Sequence, residues 1–227
     1  MDACPIIGID IGTSYSLASV WKNGHVEIIP NDNGQNKTPS YVSFKDNEIL
    51  VGESAQIQAK KNPKNTIFNI KRLLGKDFED KDLQKEIELC PFNILKNKDD
   101  GKAIIQVDYQ NKIKNFFPYE ILSKIFEKLK KNASNYIGKE INKAVIALPS
   151  YFKKSQRDNI KIAAEIAGLH VERFINDASS ASLSYAHDKK IEEKKTFVFD
   201  LGVAILIFLQ MISMKILLKW SLLVVIT

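Results

Sequence analysis

Apolar and polar positions in the first 30 residues alternate in short runs, not at helical spacing, which predicts strands. Residues 6–12 form an apolar run closed by Gly12, and residues 16–21 and 25–30 form two more. Between the last two stands Asn23-Gly24, a pair that accepts the two positive φ angles of a tight hairpin. A β-meander therefore opens the chain. From residue 38 to about 117 the texture changes. Strand-like pieces at 40–44 and 104–109 flank polar stretches with helical spacing at 54–61 and 64–74, and Pro63 and Pro91 punctuate them. This predicts a smaller subdomain inserted into the first.

Pro118 then opens an amphipathic helix, because Ile121, Leu122, Ile125, Phe126 and Leu129 recur at helical spacing with lysines on the other face. A continuous apolar strand at 143–148 stops at Pro149. A second helix at 155–167 ends at Gly168, a good C-cap. A short strand (171–175), a helix (178–186), a charged loop (188–195) and a strand (196–202) follow.

Composition narrows the class only a little. The 227 residues are 44% apolar and 26% charged, as in ordinary globular proteins. The net charge of +6 comes from scattered lysines with no cluster of basic and aromatic residues, so no nucleic-acid surface is expected. Cys4 and Cys90 lack the spacing of a zinc site or a disulfide framework. The first residues have neither a basic region nor a long apolar stretch, which points to a cytoplasmic protein.

Candidate chemistry sits in the turns. Asp10-Ile11-Gly12-Thr13-Ser14 joins two strands with a carboxylate, a glycine and two hydroxyls. Such a turn can aim backbone N–H groups at a phosphate chain while the carboxylate holds Mg²⁺ through water. Alone it is also an unremarkable hairpin turn. A second strand-Asp-x-Gly turn, Asp200 to Gly202, suggests a phosphate clamp closing from both sides.

Six segments then resemble the 70-kDa heat-shock chaperone family in order and spacing: residues 8–16 (GIDIGTSYS), 31–42, 65–75 (NTIFNIKRLLG), 147–157 (ALPSYFKKSQR), 167–169 and 199–202 (FDLG). The resemblance implies an α/β, actin-like ATPase (ribonuclease-H-like) fold, with the first lobe complete and the second almost wholly missing. It divides the chain into a core of residues 1–39 plus 118–190, an inserted subdomain at 40–117 and a first strand of the second lobe at 191–202. It implies ATP/ADP and Mg²⁺ as cofactors. Gly12, Thr13, Ser14 and Gly202 would contact phosphate, and Asp10 and Asp200 would hold metal-bound water. Lys71, with Asp10, Asp177 and Asp200, would serve hydrolysis. Pro149 and Arg157 would relay nucleotide state, and Arg173 and Asn176 would face J-domain co-chaperones. Unfolded client proteins are the implied substrates; nucleotide-exchange factors are not expected without a second lobe. Two departures bear on the site. Asp177 stands where the family has a glutamate, one methylene longer, and Ala178 where it has a proline. These departures are expected to weaken coupling, and hydrolysis by this chain is expected to be weak or absent because half of the phosphate clamp is missing.

After Gly202 the family continues with two glycines and a threonine. This chain instead runs through a largely apolar stretch of 25 residues, 203–227, with only Lys215 and Lys219 charged. One permitted back-translation of these residues, with one preceding G restored, reads glycine-glycine-asparagine-threonine and continues polar and acidic. A frameshift is therefore the expected origin of the tail, with no place for it in the fold's sheet. The competing expectations are a membrane tether, if the tail inserts, and a non-enzymatic decoy for J-domain partners.

Overall fold

The computed structural model describes residues 5–188, 196–201 and 206–211. Strands β1 (Ile6–Ile11), β2 (Tyr15–Lys22) and β3 (His25–Ile29) form the expected meander. Asn23 and Gly24, at φ 53° and 84°, turn the second hairpin. Strand β4 (Thr38–Pro39) lies against β2. Next come β5 (Val42–Lys45), β6 (Glu48–Val51), α1 (Glu53–Gln58), β7 (Thr66–Ile67), α2 (Lys81–Leu89), β8 (Asn93–Lys96), β9 (Ala103–Tyr109) and β10 (Lys112–Phe116). The chain continues through α3 (Pro118–Ile137), β11 (Lys143–Leu148), α4 (Lys154–Ile166), β12 (His170–Asn176) and α5 (Asp177–Asp188), then β13 (Thr196–Leu201) and β14 (Leu206–Met211).

One six-stranded sheet organises the molecule, in the order β12-β11-β1-β2-β3 with β4 added to β2. The first three strands are parallel; β2 runs antiparallel to β1, and β3 runs antiparallel to β2. Its two faces differ in kind. Ile7, Ile9 and Ile11 of β1 and Ala144, Ile146 and Leu148 of β11 join one core with Ile121, Leu122, Ile125 and Phe126 of α3. Gly8, Asp10, Val145 and Ala147 alternate to the other face, over which α5 runs, its His187 meeting Trp21 of β2 edge-to-face at 5.1 Å. Ala178, Ser180 and Ser182 are buried there, small enough for α5 to lie close to the sheet.

The expected helix at 54–61 is α1, slightly displaced. The one expected at 64–74 is not an α-helix: it divides into a 3₁₀ turn (Pro63–Asn65), β7 and a second 3₁₀ turn (Ile70–Arg72). Asn69, at φ 55°, interrupts it, since a left-handed residue cannot continue a right-handed helix. Strand β5 joins β6 and β7 in one small sheet, while β8, β9 and β10 make another. The tail also differs from expectation. Its residues Leu206–Met211 pair antiparallel with β13 in a two-stranded sheet, so β13 has a partner drawn from an apolar, strand-favouring run. The expected loop at 189–195 and Gly202 lie outside the described residues.

Candidate functional site

Parallel strands gather their carboxyl ends at one edge of a sheet, the usual place for a ligand in an α/β layer. Register makes this concrete. Asp10 pairs with Ala147, and Ala147 with Ile175. Two residues further along each strand come Gly12, Pro149 and Asp177. At about 4.8 Å between neighbouring strands, the three loops leave the sheet side by side.

The first of these loops is shaped by contacts. A Cβ on Gly12 would sit 2.2 Å from the Tyr15 carbonyl oxygen, so only glycine closes this turn. Ser40, fully buried, holds it from below. Its hydroxyl donates to the Gly12 carbonyl at 3.0 Å, its N–H donates to the Ser14 carbonyl at 2.9 Å, and it shares a 2.8 Å hydrogen bond with Ser16. The carbonyls of the turn thus face the protein. Among the described residues, no acceptor meets the N–H groups of Thr13 and Ser14. Donors left in this way form an anion-binding concavity. Asp10 is half-buried on the α5 face next to it.

Lys71 arrives from the inserted segment. Its Nζ lies 3.9 Å from Asp177 Oδ2 and 5.7 Å from the Phe152 ring centroid. Side-chain exposure is 11% for Lys71 and 21% for Asp177, so the pair is screened from water more than most surface ion pairs. At 3.9 Å the contact is longer than a charge-assisted hydrogen bond of about 2.7–2.9 Å. Ile70, Leu73 and Leu74 bury the segment that carries Lys71. Arg72 donates to Glu86 of α2 at 2.5 Å. Gly75 then docks on the start of α4: Ser155 Oγ donates to its carbonyl at 2.8 Å, and its N–H donates to Asn159 Oδ1 at 3.2 Å.

Pro149 begins a turn closed by the Phe152 N–H at 3.2 Å. Arg157 spans that turn, donating from Nε to the Phe152 carbonyl at 3.0 Å and from Nη2 to the Ser150 carbonyl at 3.4 Å. Asp10, the Gly12–Ser14 turn, Lys71, Pro149, Arg157 and Asp177 therefore come together at one sheet edge. Arg173 and Asn176 do not join them on one surface. A bulge at Glu172 shifts the register of β12 on β11, so Arg173 is exposed on the α5 face while Asn176 is half-buried on the other. Asp200 lies in β13, and its carboxylate is outside the described side chains; Gly202 is outside the described residues altogether. Sequence reasoning missed the supports Ser40, Gly75, Ser155 and Asn159. Ser40 and Ser155 stood inside quoted motifs, but their partners lie 28 and 80 residues away, where local pattern gives no signal.

A six-stranded sheet in this order, with the segment after β7 bringing a lysine to its carboxyl edge, belongs to an actin-like ATPase fold. The family model for "Hsp70 protein" matches residues 6–206, and the chain belongs to that family. It is 47% identical over 199 residues to heat shock cognate 70 kDa protein 3 of Dictyostelium discoideum, a match covering 86% of this chain and 32% of that protein. It is 44% identical to a heat shock 70 kDa protein of Neurospora crassa, covering 87% and 30%. Heat shock 70 kDa protein 2 of Paracoccidioides lutzii is 42% identical over the same shares. The chain thus spans about a third of the length of the curated relatives it matches. Among the described residues no helix is long and apolar enough to cross a membrane.

Proposed function

We propose that this chain carries the first phosphate-binding half of the ATPase site of an ATP-dependent protein-folding chaperone. The observation that carries the reading is the convergence at one sheet edge of the Thr13 and Ser14 N–H groups, the Asp10 carboxylate and the Lys71–Asp177 pair. In this reading the two N–H groups and the Lys71 ammonium hold the terminal phosphates, and Lys71 offsets the charge that develops during transfer. The donor set suits Mg²⁺. That ion keeps most of its water and takes one or two carboxylates together with phosphate oxygens, and among the described residues no group of three His, Cys, Asp or Glu side chains could hold a metal directly. Asp10 and Asp177 would hold the ion through its water, with Asp200 as a third carboxylate from β13. Bound there, Mg²⁺ would neutralise phosphate charge. Thr13 and Ser14 orient the chain of phosphates, and Phe152 covers the Lys71 ammonium from solvent.

Positioning and charge stabilisation need two walls, and these residues supply one. ATP binding by the 227-residue chain is therefore expected to be weak, and phosphate release close to background. Isothermal titration and a phosphate-release assay test this; sub-micromolar affinity would refute the dependence on a second wall. Lys71→Met should abolish whatever turnover remains. Unfolded proteins as clients, J-domain co-chaperones as partners and a cytoplasmic location complete the proposal. Arg173 also favours a second reading, a non-enzymatic decoy for J-domain proteins, since it is exposed on the sheet's edge strand. Arg173→Ala would weaken capture of a purified J-domain in that case and leave it unchanged otherwise. For residues 203–227 we propose a frameshift origin; transcript sequence across codon 202 that keeps the printed frame would end that account.

A further inference from the structure

The Gly12–Ser14 turn has a second cation beside it. Tyr15, the next residue, pairs with Pro39 across the β2–β4 ladder, and Ser16 pairs with Thr38. Lys37 precedes β4 and is thus the diagonal neighbour of Tyr15 on the same face, within reach of a long side chain. Its Nζ lies 4.3 Å from the Tyr15 ring centroid. Register also fixes which face this is. Asp10 pairs with Leu17, and Tyr15 is two residues from Leu17, so Tyr15, Leu17 and Asp10 share the α5 side of the sheet. Ser16, Ala18 and Val20 are buried on the other. Lys71 and Asp177 flank the turn from the β11–β12 side, and Lys37 flanks it from the β2–β4 side.

The loop before Lys37 is built rather than loose. Asn31, 7% exposed, receives the N–H groups of Asn33 and Gln35 on its Oδ1 at 2.9 Å each. Its Nδ2 donates to the Lys37 carbonyl at 3.0 Å and to Glu53 at 2.5 Å. The backbone of Lys37 is therefore anchored, while its ammonium rests on an aromatic face, an attraction weak enough at an exposed site to yield to an anion. Ser40, three residues on, clamps the turn itself. Turn and lysine are thus tied to the same short segment, 37–40.

We propose that Lys37 is a further polyphosphate-binding residue: its ammonium leaves the Tyr15 ring and meets the phosphate chain seated on the Thr13 and Ser14 N–H groups, opposite Lys71. The inference rests on the phosphate-binding reading of the turn. It makes the pocket prefer longer, more charged polyphosphates, because a second cation across the turn has a partner only when the anion spans both sides.

The test follows backbone amide shifts in the 227-residue chain titrated with Mg²⁺-tripolyphosphate and, separately, with inorganic phosphate. The wild type is expected to shift at Thr13 and Ser14 with tripolyphosphate. Lys37→Met, which keeps the stem and loses the charge, should weaken tripolyphosphate on the order of tenfold, with little change for inorganic phosphate. Lys37→Arg should restore most of the affinity. Lys37 is exposed, so the remaining amide spectrum should superimpose on that of the wild type. Equal tripolyphosphate affinity in Lys37→Met and wild type would overturn the role of Lys37 while leaving the turn as a phosphate site. No shift at Thr13 or Ser14 in the wild type would overturn both. A loss that Lys37→Arg fails to restore would also count against the proposal, since it would trace to the loop and not to the charge.

Discussion

Replacing Gly75 with alanine tests how Lys71 is brought to the sheet edge. The new Cβ would lie 2.7 Å from Ser155 C, 2.7 Å from Gln156 N and 2.8 Å from Ser155 O, all backbone atoms that cannot rotate away. Gly75 also sits at φ +62°, where a side chain costs about 1–2 kcal/mol on its own. Forcing the segment off α4 adds about 1–3 kcal/mol, as overpacking does. The loss should therefore be about 2–5 kcal/mol. Gly138 provides the control: its φ is +73°, and a Cβ there would meet nothing within 4 Å. Gly138→Ala should cost only the conformational term, about 1–2 kcal/mol. Urea unfolding followed by circular dichroism reads both as shifts in midpoint at unchanged slope. Gly75→Ala should also lower tripolyphosphate affinity, because Lys71 moves with the segment, whereas Gly138→Ala should not. Equal destabilisation by the two variants would refute the docking argument and leave backbone conformation as the only reason for glycine at position 75.

Three further outcomes follow from the same contacts. Asp80 caps α2, accepting from the N–H groups of Asp82 and Leu83 at 2.9 and 3.2 Å, and Asp80→Ala should cost about 1 kcal/mol. The Leu83 N–H chiefly holds that carboxyl below its usual value of 3.8, so the charge-dependent part of the cap's contribution is present above the unfolded value and fades as pH falls through the lowered one; a wild-type advantage over Asp80→Ala that does not shrink as pH is lowered would contradict this. Burial, helped by Glu86, pushes the Cys90 thiol up to about 11, so disulfide-exchange reagents should label it slowly at pH 8 and about tenfold faster per pH unit up to pH 10; a plateau near pH 8.5 would show an ordinary thiol. Deleting residues 203–227 removes β14 from its pairing with β13 beside α5, so amide exchange should quicken in α5 while β1, β11 and α3 stay protected; loss of protection throughout would mean that the tail supports the whole lobe.

What the sequence made legible was local. Asn23-Gly24 announces a hairpin because few other residue pairs tolerate its two positive φ angles. Pro118 announces the start of α3, and the Glu120 carboxylate accepts the Phe117 N–H at 2.7 Å to complete it; the end at Gly138 was not read. The segment at 64–74 misled because Ile67, Ile70 and Leu74 recur at helical spacing, yet Ile67 is buried from a two-residue strand, Ile70 from a 3₁₀ turn and Leu74 from the loop after it. Helix α2 went unread because Leu83 is its single fully buried position, too little for a periodic signal. Glu172 shows the limit most clearly: one bulged residue reverses which face each later residue of β12 presents, and nothing in the string VERFIN marks it.

The candidate site divides along the same line. Asp10, Gly12, Thr13 and Ser14 were legible because their chemistry is contiguous: a glycine that must close a turn stands beside the donors it exposes. Lys71 was not legible from its surroundings, being one of 30 lysines, and only the resemblance singled it out. Its environment is made by residues far away in sequence: Asp177 faces it, Phe152 covers it, and α4 receives Gly75. Lys37 went unnoticed for the same reason, since its meaning depends on the β2–β4 register and not on its neighbours. The donors of this turn can thus be found by reading along the chain, but the lysines near it are placed by contacts distant in sequence. Substitutions at such cations should accordingly leave the turn folded while changing how much charge it holds.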